Sequence, residues 1–355
     1  MKRWVVVLAG GVGSRFWPLS TPERPKQMLP LVTDEPMLLE QLKRLKSLAS
    51  PKRTLILTNA SLVAATAKLS KLPKANIIAE PKPAGTAAAL AWAAHLIKQR
   101  DGADATMISV HADWAIGNPV GFRQSLEMAA VAAEKETALV TVGVIPSRPD
   151  PGFGYIEPGT HVSSGARKVK RFIEKPTREK AVELRVSGFL WNSGIFAWRV
   201  GVFLDELKTH SPEVGPALAN NGRSMSGFFG AVKKPIAVDH AVLERSKRVL
   251  VVPAEFGWDD VGTWGALRRV RPRDSHGNTV HGDAHVQDST NNVVHAEGTS
   301  VVLFGVSDLV VVARDGVTLV TTVEKSADLK KVVETLPPKL KDGSRLSPSG
   351  SRPKK

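Results

Sequence analysis

The chain has 355 residues, 42% of them hydrophobic, with 49 Lys and Arg against 34 Asp and Glu for a formal charge of +15, and it has no cysteine. Such a length buries a sizeable core and suits one large domain plus a smaller one, and the missing thiol excludes disulfides, thiolate metal sites and a cysteine nucleophile. No apolar run is long enough to span a membrane, and the run at Val5 is too short for a signal peptide, so a soluble cytoplasmic protein without a membrane partner is expected.

The charge invites a nucleic-acid reading. Much of the excess is scattered, and part of it lies in a basic stretch over 338–355 whose Lys, Arg, Ser, Pro and Gly predict disorder. No zinc finger, RNA motif or aromatic-studded basic strand accompanies it, so no specific nucleic-acid partner is expected.

Val5, Val6, Val7, Leu8 and Ala9 form an apolar run of strand length, as in a strand covered on both faces of a parallel sheet. Gly10, Gly11 and Gly13 follow, and glycines there let backbone N–H groups approach a polyanion, so the loop reads as a phosphate cradle that begins at Ala9. Two other templates fail. A dinucleotide fingerprint needs glycine where Phe16 stands, and Gly13-Ser14-Arg15 does not close a P-loop. Arg15 and Lys26 bring positive charge to the same segment.

The segment Gly10-Gly11-x-Gly13-x-Arg15-Phe16-Trp17-Pro18-Leu19-Ser20, followed by Pro25-Lys26-Gln27, resembles the signature of mannose-1-phosphate guanylyltransferases within the sugar nucleotidyltransferase superfamily. Farther on, the periodicity predicts a helix over 37–49, a strand over 54–58, a helix over 61–69, a strand over 76–79 and a helix over 86–99 with Thr86 as N-cap. This alternation argues for an α/β fold with a doubly wound, mostly parallel, Rossmann-like sheet, which places ligands at the carboxyl ends of the strands.

In the resembling family the stretch 80–86 lies against the nucleotide base. Gly85 stands where that family usually carries a side chain. Glu80 is the candidate reader of guanine, because a carboxylate can accept the ring N–H and the exocyclic amine together. The strand 105–110 leads into His111-Ala112-Asp113-Trp114, similar to the family's P-S-D-H, with Asp113 keeping the aspartate. Beyond a helix over 122–135 and a strand over 138–144, Gly152-Phe153-Gly154-Tyr155-Ile156 resembles the family's sugar loop and Phe172-Ile173-Glu174-Lys175-Pro176 its F-V-E-K-P. Trp191-Asn192-Ser193-Gly194-Ile195-Phe196 matches W-N-S-G-x-F. The resemblance implies a sugar-phosphate site of Gly154, Glu174, Lys175 and Asn192, with Trp191 as packing. Helical periodicity covers 202–241, a strand 249–252, and Phe256-Gly257-Trp258-Asp259-Asp260-Val261-Gly262 carries a second aspartate, Asp260, while Asp259 replaces a serine.

The resemblance implies the reaction of α-D-mannose 1-phosphate with GTP to give GDP-mannose and diphosphate. Gly10, Gly11 and Gly13 would cradle the triphosphate, Arg15, Lys26 and Lys175 would be the catalytic cations, and Asp113 and Asp260 would hold Mg²⁺, a cation suited to one or two carboxylates plus substrate oxygens. The same machinery could serve another hexose 1-phosphate or nucleotide, or survive in an inactive nucleotide-sugar-binding regulator. A homodimer is compatible with the sequence. The expected domains are a catalytic domain over 1–270, a small β domain over 275–337 with a closing helix over 328–336, and the tail over 338–355. Family likeness gives the β domain a left-handed β-helix-like shape.

Overall fold

The structure is a computed structural model and describes residues 2–11 and 13–341; the expected tail beyond 341 lies outside them. In chain order the strands of the first part are β1 (Arg3–Leu8), β2 (Thr54–Asn59), β3 (Ile77–Glu80), β4 (Thr106–His111), the short β5 (Ala115–Ile116), β6 (Leu139–Val144), β7 (Tyr155–His161), β8 (Arg167–Ile173), β9 (Leu190–Arg199), β10 (Val249–Ala254) and the short β11 (Trp258–Asp259). Then follow β12 (Thr279–His281), β13 (Ala284–Gln287), β14 (Val293–Glu297), β15 (Val301–Phe304), β16 (Leu309–Arg314) and β17 (Val317–Thr322).

Contacts divide the chain into two compact units, and the division does not follow chain order. Of the described residues, the first holds 2–10, 41–112 and 116–258; the second holds 11, 13–40, 113–115 and 259–341.

The first unit is built on a nine-stranded sheet in the order β3-β2-β1-β4-β9-β6-β10-β8-β7. β1 pairs in parallel with β2 and β4, β2 with β3, and β6 with β10, while β9 runs antiparallel between β4 and β6. The apolar run behaves as its composition demands: Val5, Val6 and Val7 have no exposed surface, as a strand covered on both faces requires. The helix Gly85–Asp101 is apolar nearly all round and is sunk into the core. It begins one residue before the expected Thr86 and has no side-chain cap. Thr86 instead accepts a hydrogen bond from the Val238 N–H at 2.9 Å, a longer-range use of the same oxygen. The helix expected over 122–135 spans Pro119–Glu136, because Asn118 caps it and Pro119 occupies its first turn. The single helical stretch expected over 202–241 is broken into Val200–His210, Gly215–Asn221, Met225–Ala231 and a π-helical turn Asp239–Leu243. Periodicity was present there, but Pro212 and Pro235 interrupt it.

In the second unit, β12, β14 and β16 stack in parallel, β17 closes the sheet antiparallel to β16, and β13 lies parallel to β15. Asparagines tie the stack together. Asn278 Oδ1 accepts from the Asn292 backbone N–H and from its Nδ2, and Asn292 Oδ1 accepts from the Leu309 N–H, all within 3.0 Å. The inward side chains Val293, Val310 and Val312 form one core with Phe16, Leu19, Leu29, Trp264 and Leu267. The closing helix runs Leu329–Thr335, and a last turn, Pro338–Lys341, occupies the start of the stretch expected to be disordered. No helix among the described residues is long and apolar enough to cross a membrane.

Candidate active site

In the first unit, the ends of β1, β2 and β3 meet. Thr58 Oγ1 donates to the Ala9 carbonyl and Asn59 Nδ2 to the Gly10 carbonyl, each at 3.0 Å, so the chain leaving β1 is pinned by side chains of its neighbour. Glu80 ends β3 beside it, and a Cβ on Gly10 would lie 3.5 Å from Glu80 Oε1. Burial pushes the Glu80 carboxyl up to about 7. Among the described residues it has no hydrogen-bond partner. At Gly85, φ is +83° and an added Cβ would fall 2.3 Å from the Ile236 carbonyl oxygen, so the position usually occupied by a side chain is filled by the 236 backbone. Any contact Gly85 makes with a ligand is therefore through its backbone.

Lower in the same sheet a second cluster forms. The register of β6 against β9 slips between Thr141 and Gly143, which makes a bulge of the Ser193-Gly194-Ile195 segment next to Asn192, with Gly194 at φ +74°. Ser193 Oγ donates to the Val142 carbonyl at 2.6 Å inside that bulge. The bulge re-aims Asn192, whose N–H donates to the Gly154 carbonyl at 2.8 Å and whose Nδ2 donates to Asp239 Oδ1 at 2.6 Å. A Cβ on Gly154 would lie 2.9 Å from Glu174 Oε2, so only glycine leaves that carboxylate its place. Lys175 follows in a left-handed conformation (φ +40°) that turns the strand end, and its Nζ lies 2.8 Å from Glu174 Oε1. Trp191 is 1% exposed and packs against Phe153 and Trp258.

The second unit carries the charges. Lys26 is 5% exposed; its Nζ donates to Asp113 Oδ2 at 2.9 Å and to the Asp260 carbonyl at 2.7 Å. Gly13 makes this placement feasible: at φ +70° its added Cβ would be 2.3 Å from Lys26 Cβ. Arg15 Nη1 donates to the Gly262 carbonyl at 2.8 Å. Phe16 and Trp17 are anchors, the first ring lying 5.1 Å from that of Trp264 and the Trp17 carbonyl accepting from Trp264 Nε1 at 3.2 Å. The Asp260 carboxyl is pushed up by burial first and then by the charges of Asp259 and Asp113, against the lowering effect of Lys26.

The comparisons with known proteins bear on this arrangement. A family model described as nucleotidyl transferase matches residues 4–276, and one described as MannoseP isomerase/GMP-like beta-helix domain matches 275–336. A mannose-1-phosphate guanylyltransferase of Escherichia coli is 37% identical over 346 residues, covering 93% of this chain and 73% of its own. The chain belongs to the mannose-1-phosphate guanylyltransferase family of nucleotidyl transferases. The alginate biosynthesis protein AlgA of Pseudomonas fluorescens is 34% identical over 345 residues, with 93% of this chain and 71% of its own covered. A crystal structure described as a mannose-1-phosphate geranyltransferase, from Thermus thermophilus, superposes with a TM-score of 0.87 at 33% identity over 94% of this chain and 99% of its own.

For a guanylyltransferase of this family, the structure brings the sequence candidates into three groups. Ala9, Gly10, Glu80 and Gly85 lie around the ends of the first strands. Gly154, Glu174, Lys175 and Asn192 lie around the bulge. Gly13, Arg15, Lys26, Asp113 and Asp260 form the charged group, with Gly11 at the start of the same unit. Asp259 is separated from the metal question. It is 4% exposed, accepts two bonds from Arg269 at 2.7 and 3.0 Å and caps the Val261 N–H at 2.9 Å, so it is a structural pair that holds the turn carrying Asp260. Sequence reasoning missed Asp239, which sits in a stretch that reads as helix. Its signal was an acid just before the apolar run Ala241-Val242-Leu243.

Proposed function

We propose that the chain catalyses α-D-mannose 1-phosphate + GTP = GDP-mannose + diphosphate, in the cytoplasm. The observation that carries this reading is the buried Lys26 held against Asp113 and Asp260, in a member of a family whose relatives carry that activity in their names. A buried ammonium fixed by two partners is an electrostatic device set before substrate arrives, and such preorganisation is the largest catalytic contribution available to a reaction without a protein nucleophile.

In this reading a phosphate oxygen of mannose 1-phosphate attacks the α-phosphorus of GTP, the bond to the β-phosphate oxygen breaks, and diphosphate leaves with the electron pair. Gly10, Gly11 and Gly13 give the triphosphate backbone N–H groups; the Ala9 N–H, expected to join them, already donates to the Leu57 carbonyl at 2.8 Å as β1 pairs with β2. Arg15 and Lys26 neutralise charge as it moves toward diphosphate. Glu80 accepts from guanine, and Lys175 holds the sugar phosphate while Glu174, Asn192 and the Gly154 backbone take the sugar hydroxyls. Positioning of this kind replaces a bimolecular encounter with an oriented one.

Asp113 and Asp260 fit Mg²⁺. Asp260's raised carboxyl and its proximity in charge to Asp113 make a cation welcome there. No group of three or more His, Asp or Glu suited to a metal occurs among the described residues, so substrate oxygens and water would complete the coordination. When bound, Mg²⁺ would supply charge neutralisation at the α-phosphate.

The test is diphosphate release with Mg²⁺ from GTP, ATP, UTP or dTTP, each offered with mannose 1-phosphate or glucose 1-phosphate. Release that needs GTP and mannose 1-phosphate is expected. Release with another pair only would overturn the substrate assignment, and no release with any pair would overturn the activity.

A further inference from the structure

We propose that Asp239 is the residue that sets the sugar selectivity of this reaction, by fixing the Asn192 amide so that one N–H faces a hexose hydroxyl, an inference that rests on the reaction proposed above. Asn192 has two ends that could exchange by a half-turn of its amide. Three neighbours decide between them. Asp239 Oδ1 accepts from Nδ2 at 2.6 Å, while the Gly194 N–H and Thr141 Oγ1 both approach Oδ1 at 3.4 Å. Turned over, the amide would set oxygen against a carboxylate and N–H against N–H. The 2.6 Å contact is the only short one of the three, so Asp239 carries most of the preference. The observed orientation uses one N–H of Nδ2 and leaves the second to donate.

Asp239 is itself held from behind. The segment before it is stitched to the start of the helix Gly85–Asp101: the Ile236 carbonyl accepts from the Ala87 N–H at 3.2 Å, and Thr86 Oγ1 accepts from the Val238 N–H at 2.9 Å. The π-helical turn Asp239–Leu243 then buries Ala241, Val242 and Leu243. A carboxylate on such an anchored turn cannot follow a wandering amide. Burial and the nearby charge of Glu174 both raise the Asp239 carboxyl, which places it in the same cluster as Glu174. Epimeric hexoses differ in the direction of a hydroxyl, and a donor with one direction distinguishes them where a freely turning amide does not.

The experiment measures diphosphate release at saturating GTP with mannose 1-phosphate and with glucose 1-phosphate, and the KM for GTP, in wild type, Asp239→Ala, Asp239→Asn, Asn192→Ala and the Asp239→Ala/Asn192→Ala pair. Asp239→Ala is expected to raise the KM for mannose 1-phosphate about tenfold, the scale of losing a hydrogen bond to a charged group. It should narrow the preference over glucose 1-phosphate and leave the KM for GTP within about twofold. Asp239→Asn still offers an oxygen to Nδ2 and should recover most of the loss. The pair should be little worse than Asn192→Ala alone. Should the alanine variant fail to fold, Asp239→Glu, which keeps charge but displaces the oxygen, is expected to show the same rise. Unchanged sugar KM and preference in Asp239→Ala would overturn the proposal, as would equal rises in both KM values or an asparagine variant as poor as alanine. A wild type inactive with every sugar phosphate would overturn the reaction and this inference with it.

Discussion

Replacing Glu80 by glutamine should stabilise the protein in alkali and spoil its choice of base. The Glu80 carboxyl is raised from its ordinary 4.5 to about 7 by burial alone. At 1.36 kcal/mol per pH unit the difference is about 3 kcal/mol, an upper figure because the group retains some exposure. The sign follows from which state holds the proton. Below pH 4.5 both folded and unfolded chains are protonated at this position and it costs nothing. As pH rises from 4.5 to 7, the unfolded chain releases the proton and the folded one keeps it, so stability falls; above 7 the whole penalty is present. Glutamine carries no such penalty, so Glu80→Gln should lie within about 1 kcal/mol of wild type at pH 5 and exceed it at pH 8 by up to about 3 kcal/mol, roughly 5 °C in thermal midpoint for a chain of this size. Guanine, donating two N–H groups, would draw the carboxyl to its ionised form. The wild-type KM for GTP should therefore rise as pH drops below about 7, and the variant should lose that dependence together with its preference for GTP over ATP. Thermal melts at both pH values and initial rates with both nucleotides make the measurement. Equal wild-type to variant gaps at pH 5 and 8, or an unaltered nucleotide preference, would refute the reasoning.

Lys26→Ala removes a buried cation and leaves Asp113 without that partner, and kcat should fall about a hundredfold or more, the scale of losing one preorganised charge contact; stopped-flow or coupled diphosphate assays read it. Gly85→Ala would drive a Cβ to 2.3 Å from the Ile236 carbonyl at a positive φ, so a loss of at least about 2 kcal/mol in denaturant unfolding is expected even though a methyl group is all that is added. His295 has no exposed side-chain surface and is held down to about 4, mainly by burial. Its Nε2 faces Glu297 and its Nδ1 faces Arg271, an arrangement for the neutral ring. Below pH 6.5 the unfolded chain takes up a proton that the folded one refuses, so stability should decline from 6.5 toward 4 and His295→Gln should flatten that decline in melts across the range. Chelation of divalent cations should abolish diphosphate release while leaving the melting midpoint of the unliganded protein unchanged, since in the unliganded protein the Asp113 carboxylate and the Asp260 carbonyl are already tied by Lys26.

How far the sequence discloses this molecule depends on the distance over which each feature is determined. The buried run at Val5, the glycines after it and the helix of alanines are local, and composition at neighbouring positions suffices to place them. The residue types of the site were legible for the same reason, since Lys26, Asp113, Glu174 and Asn192 each sit in a short, distinctive segment. What each type does there was not. Gly13 reads as a residue that admits phosphate, yet its missing Cβ is also the space taken by Lys26. Gly85 looks like a lost side chain, and the 236 backbone that excludes one lies some 150 positions away, as the Thr86 to Val238 bond does. Asp259 could not be assigned without Arg269 in place. Asp239 stayed hidden because a helical period describes how a segment packs, and a π-helical turn inside it turns an acid toward Asn192 without breaking that period.

The asparagine-tied stack of short strands also says where this chain can change length. Thr279 pairs with Val293, but Ala284, only five positions on, pairs with Val301, so the second layer spends three more residues than the first in rounding one corner. Gly282 makes the tight version of that corner, where an added Cβ would fall 1.9 Å from the Ala296 carbonyl oxygen, whereas a Cβ on Gly298 would meet nothing within 4 Å. Insertions and deletions should thus be absorbed at 298–300 and rejected at 282–283, which makes the roomier corner the natural splice point for a tag or a reporter peptide.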